Sequence, residues 1–117
     1  MAAPNIVGVT TITGKTAVMA VTTSATAIVT NSAASGKVFK VNALYVSNID
    51  GTNACDVTID LFRSSTAYKI ASTISVPADS TLDIMSKSIY LEEGDALRLT
   101  ASANSDLEAV CSYEEIS

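Results

Sequence analysis

The stretch from Thr81 to Tyr113, TLDIMSKSIYLEEGDALRLTASANSDLEAVCSY, decides the fold class. Leu82-Asp83-Ile84 and Ile89-Tyr90-Leu91 are short apolar runs, and the second leads directly into Glu92-Glu93-Gly94-Asp95. Gly94 supplies the positive φ that reverses the chain there, and its acidic neighbours keep the turn in water. From Ala96 to Ala103 the chain alternates, with Leu97, Leu99 and Ala101 on one face and Arg98, Thr100 and Ser102 on the other. Asn104-Ser105-Asp106 then turns the chain into a last strand ending near Tyr113. Alternation of period two between turns is the mark of a half-buried antiparallel sheet.

The same pattern extends towards the N-terminus. Cys55 to Arg63 alternates, placing Val57, Ile59 and Leu61 inward and Asp56, Thr58 and Asp60 outward. After Ser64-Ser65, residues Tyr68, Ile70, Ile74 and Val76 share a parity. Pro77 ends that strand because it cannot donate to a ladder. Val57, Ile59, Leu61, Ile70, Ile74, Leu97 and Leu99 are the expected core. Val38 to Asn48 forms a long strand with apolar residues on both faces, Val41, Ala43 and Tyr45 on one and Leu44 and Val46 on the other, which implies a central strand or one covered by a second subunit. Asp50-Gly51 marks the turn that follows.

The first third, rich in Thr and Ala, is less regular. Thr16 to Val21 and Thr26 to Asn31 read as short strands separated by Ser24, and Asn31 to Gly36 is a cluster of chain breakers. The expected organisation is an extended N-terminal arm over residues 1–14 and one all-β domain over 15–117. That domain is an antiparallel β-sandwich of jelly-roll or Ig-like type, with no internal repeat and no linker.

A chain of 117 residues can bury a core without a metal or a disulfide. It is 48% hydrophobic and only 16% charged, a balance that suits packed strands and dry subunit contacts rather than disorder. The net charge of −5 disfavours a nucleic-acid partner, which calls for a positive field. Met1-Ala2-Ala3-Pro4 lacks the features of a signal peptide, and no apolar run approaches the length of a membrane span, so a chain assembled in a cytoplasm is expected. Cys55 and Cys111 each lie in phase with apolar neighbours and read as free buried thiols, with a disulfide as the alternative.

The residues that could carry chemistry are few. There is no histidine, so the usual general base and the commonest metal ligand are missing, and no enzyme and no cofactor are expected. Asp56 and Asp60 are about 13 Å apart along one strand, too far to act as a carboxylate pair. Glu92, Glu93 and Asp95 read as a charged turn rather than a calcium loop. A sugar platform needs flat exposed rings, and the chain has no Trp; Tyr45, Tyr68, Tyr90 and Tyr113 all fall within strands, where packing is the expected role. The candidate partner contacts are Phe62, Tyr45, Ile6 and Val9. Phe62 lies on the polar parity of its strand, either as an exposed anchor or as a cover for the sheet end beside Arg63.

One resemblance emerges from Val46-Ser47-Asn48-Ile49-Asp50-Gly51-Thr52-Asn53, Asp56-Val57-Thr58-Ile59-Asp60, Ile74-Ser75-Val76-Pro77, Leu82-Asp83, Tyr90-Leu91-Glu92-Glu93-Gly94-Asp95 and Ser112-Tyr113-Glu114-Glu115. From about Val38 onward the chain resembles small virion structural proteins of tailed phages, notably those of cyanobacteria and other aquatic hosts. The resemblance implies a β-rich, non-enzymatic virion part, in the first place a capsid decoration or cement protein bound to the major capsid protein. A neck, tail or fibre component is the alternative, and a carbohydrate-binding sandwich module the reading from another class. A homo-oligomer, by preference a trimer, and no membrane partner are expected with it.

Overall fold

The structure, a computed structural model, describes residues 5–117. Nine strands follow a short 3-10 turn at Ile6–Gly8: β1 (Ile12–Val21), β2 (Thr26–Thr30), β3 (Val38–Asn48), β4 (Cys55–Arg63), β5 (Thr66–Val76), β6 (Thr81–Asp83), β7 (Ile89–Leu91), β8 (Ala96–Ala101) and β9 (Leu107–Ile116). One sheet has the order β1-β9-β3-β6, with β7 also paired to β3, and the other the order β2-β8-β4-β5. Every pairing is antiparallel. With β6 and β7 counted as two halves of one interrupted strand, the first strand pairs with the last, the second with the second-last, and so on inward. This long hairpin wrapped into two layers is a jelly roll, one of the two sandwich types expected.

The core lies between the sheets. Val21, Val41, Leu44 and Val46 meet Val57, Ile59, Leu97 and Leu99 there, all at 1% exposure or less. Cys55 and Cys111 are free thiols in the same core, and burial pushes the Cys111 thiol up to about 11. Two buried asparagines brace the corners. Asn31 Nδ2 donates to the carbonyls of Lys37 and Leu91 at 2.9 and 3.0 Å, while its Oδ1 accepts from the Ser35 hydroxyl. Asn48 Nδ2 donates to the carbonyls of Asn53 and Val76, both at 2.9 Å, and its Oδ1 accepts from Asp50 N–H. Each ties a loop to a strand end that lies elsewhere in the sequence and so satisfies carbonyls that the bends would otherwise leave without a donor.

The structure corrects several readings of phase. In β3 the register against β9 shifts between Val41 and Ala43, so Asn42 is an extra residue. Phe39 and Val41 face inward before it and Leu44, Val46 and Asn48 after it, whereas Ala43 is half-buried and Tyr45 is 43% exposed. The apparent two-sided apolarity of β3 is thus largely one inward face read across a bulge. In β5 two shifts occur against β4. One bulge includes Thr73, at φ +53°, whose N–H reaches Thr58 Oγ1 at 3.0 Å; the other makes Ile70 the extra residue. Tyr68, Ala71, Ile74 and Val76 consequently share the inward side, and only Val76 is buried. Ile70 at 39% and Ile74 at 38% exposure are not core, and Leu61 is half-buried.

The N-terminal boundary also moves. Ile12, Thr13 and Gly14 pair with Ile116, Glu115 and Glu114, so the sheet begins three residues before Lys15. Thr10 and Thr11 N–H groups both donate to the Ser117 carbonyl, and Ser117 N–H returns a bond to the Thr11 carbonyl. The part of the expected arm over Met1–Pro4 lies outside the described residues. Among the described residues no helix is long and apolar enough to cross a membrane.

Candidate functional site

The acidic turn before β8 is closed by a clamp. Arg63, at the end of β4, donates from Nε to Asp95 Oδ1 at 2.7 Å and from Nη2 to Asp95 Oδ2 and to Glu92 Oε2, the last at 2.8 Å. Asp95, 1% exposed, also accepts from Glu92 N–H at 2.8 Å. Burial alone would raise the Asp95 carboxyl, but the Arg63 bonds and the Glu92 N–H outweigh it and hold the group below the usual carboxylate range. The same fork raises Arg63. These oxygens are therefore engaged by a guanidinium, and no group of three or more acidic, His or Cys side chains suited to a metal occurs among the described residues. Gly94, at φ +88°, makes the turn as its position requires.

A second pair sits on the outer face of the β2-β8-β4-β5 sheet. Arg98 in β8 donates from Nε to Asp60 Oδ1 at 2.9 Å and from Nη2 to Oδ2 at 3.2 Å, and its guanidinium carbon stands 3.9 Å from the Phe62 ring centroid. Lys69 approaches Asp60 at 3.9 Å. Asp60 is 1% exposed, in contrast to the solvated position its parity implied. Phe62 is half-buried, with the Arg98 guanidinium stacked over its ring. The sequence signal for both pairs was oppositely charged residues on neighbouring strands, legible only once the β4-β8 register is known.

The outer face of the other sheet differs. Val18 in β1, Val110 in β9 and Tyr45 in β3 stand directly beside one another in register, at 74%, 40% and 43% exposure. They form an apolar row running from the β1 edge across three strands. A shallow depression between β1 and β9, lined by Val18, Met19, Ala20, Glu108, Ala109 and Val110, lies along it. Of the candidate contacts, Tyr45 belongs to this row; Ile6 is exposed at 46% and Val9 half-buried in the segment before β1. Sequence reasoning missed Val18 and Val110, because an apolar residue on the outer parity of an edge strand looks like any other strand residue. Tyr68 and Tyr90 are exposed too, whereas Tyr113 packs on Phe39 with ring centroids 5.5 Å apart. Tyr90 lies beside Lys40, some way along β3 from Tyr45, and Tyr68 is on the other sheet, so these three rings do not form one platform.

No family model matches this chain, and no curated protein matches its sequence. A solved structure described under the words "Bacillus endospore appendages form a novel family of disulfide-linked pili" is similar over 90% of this chain and 87% of that one, with a TM-score of 0.51 and 18% identity. The likeness is one of fold. The disulfides named there belong to that protein; here both cysteines are sealed in the core.

Proposed function

We propose that this chain is a non-enzymatic structural subunit of a phage-type virion, a capsid decoration protein that binds the major capsid protein and is assembled in the host cytoplasm. The observation that carries the reading is the division of labour on its surface. The conspicuous charged groups, Arg63, Asp95, Asp60 and Arg98, are spent on one another, while the exposed outer sheet offers an apolar row, Val18, Val110 and Tyr45. A surface of that kind holds by area rather than by chemistry, and a small contact suffices when symmetry repeats it over a shell. The phage-like turn and strand-end segments quoted above support the virion setting. A subunit of a neck, tail or fibre is the second reading, favoured by the likeness of the fold to an appendage protein.

The test is to add purified chain to shells that lack it and count bound copies. Saturation at hundreds of copies in symmetry-related positions is the expected result, and a few copies on one axis would move the protein to the neck or tail. Absence from every particle fraction, together with monomeric binding to a glycan array, would overturn the virion reading.

A further inference from the structure

The sandwich has four sheet edges, and three are unsuited to further pairing. β2 has five residues and a register shift between Ala27 and Val29. β5 is bulged twice, and β6 and β7 are three residues each. Bulges and short strands are the ordinary means of keeping an edge from recruiting another chain. β1 has neither device. It pairs with β9 from Ile12 to Val21 in unbroken register, contains no Pro, and among the described residues nothing bonds to its far side along that length. It is exposed over most of its length, with Val18 its most exposed large apolar residue, and the apolar row of β3 and β9 ends on it.

We infer that the free edge of β1 is a self-association surface, at which a second copy of this chain pairs its own β1 antiparallel about a two-fold axis, joining two sheets into one. The occupant follows from what fits. A strand laid along ten regular residues has to be comparably long and regular, and among the described residues β1 is the one free edge that meets the condition; β3, β4, β8 and β9 are already paired on both sides. A two-fold contact closes on itself, whereas the trimer expected from the sequence would not place β1 against β1.

Ladder length and side chains together choose the register, since Val18 on the axis would leave only Lys15 to Val21 paired. Facing residues in an antiparallel pair share a face, so residues on the core side must meet their like, and the axis passes through a residue. Lys15 on the axis would set two ammonium groups opposite each other. Thr16 on the axis would leave them diagonal neighbours and put Val18 opposite Gly14. With Ala17 on the axis, Lys15 faces the partner's Met19, Val18 faces the partner's Thr16, and the two apolar rows meet end to end. Lys15 meanwhile keeps its bond to Glu115 at 3.0 Å.

The contact belongs to the chain itself and stands apart from the capsid reading. The experiment is sedimentation of the full chain over a range of concentration, with T16K/V18K and T16E/V18K beside the wild type. Both positions are exposed, so each variant keeps its fold. The wild type is expected at twice the chain mass at high concentration. T16K/V18K places Lys opposite Lys twice and should raise the dissociation constant about tenfold or more, while T16E/V18K places Glu opposite Lys twice and should restore the dimer. Hydrogen exchange on the wild type is a second readout: dilution should release alternate amides of β1 and leave β4 and β8 protected. A monomer at every concentration, a three-chain mass, a dimer indifferent to T16K/V18K, or β1 amides insensitive to dilution would each overturn the inference.

Discussion

β4 and β5 are neighbours in one hairpin, joined by Ser64 and Ser65, and both alternate when read as sequence. β4 lies between β5 and β8, holds a single phase, and buries Cys55, Val57 and Ile59. β5 has a partner on one side only, carries two extra residues, and buries Val76 alone. Spacing reports burial where a strand is held from both sides. Where one side is free, the backbone can take in an extra residue at little cost, and every side chain beyond it changes face.

The largest effect should come from the centre. Leu99→Ala in β8, directly opposite Ile59, should cost about 2 to 5 kcal/mol by denaturant unfolding; a variant as stable as the wild type would break the distinction between centre and edge. Next is the clamp that closes the end of β4. Asp95→Ala should cost about 1.5 to 3 kcal/mol, because Glu92 N–H loses a charged acceptor while the half-exposed Arg63 can turn to water.

Acid should act on the same clamp. Asp95 and Glu115 are each raised by burial but lowered more by their cations, Arg63 for the first and Lys15 and Lys37 for the second. Both therefore titrate below their unfolded values. Their stabilisation is complete above about pH 4, where unfolded carboxyls ionise, and is lost as pH falls through the lower folded values. A Tm series from pH 7 to 2 should show that loss, with a shallower fall in Asp95→Ala. On the edge, Ile74→Ala should cost about 1 kcal/mol or less, and a cost matching Leu99→Ala would show that something covers β5 in solution. The smallest effect is the one expected from reductant: with Cys55 and Cys111 free and buried, Tm should not move.

These contrasts also mark how far the sequence could be read. The bounds of β3 and β4 were legible to the residue, since Asp50-Gly51 and Ser64-Ser65 follow them with strong turn chemistry. The inward positions of β4 and β8 followed from alternation alone. Asn42 and Thr73 gave no warning of their bulges, because an extra residue in a strand has no distinctive composition; the Thr58 hydroxyl that meets the Thr73 N–H lies on the neighbouring strand. The candidate surface was less legible still. Tyr45 was identified, but its neighbours Val18 and Val110 are 92 residues apart in sequence and meet only through the β1-β9 ladder. Phe62 was placed on the correct face without its partner Arg98, for the same reason.

The place of β9 has a kinetic consequence. It stands between β1 and β3 and is the whole ladder of the first and one side of the second, yet it is the last strand of the sandwich in chain order. β3 can pair earlier with β6 and β7, but β1 cannot be locked into its sheet before Leu107–Ile116 is available, and the loop that brings Ile12 to Ile116 spans nearly the whole domain. Such long-range closure places folding in the slow range of two-state behaviour, milliseconds to seconds. Until then the chain exposes β1 and β3 with open edges, so crowding during synthesis favours wrong strand exchange between copies.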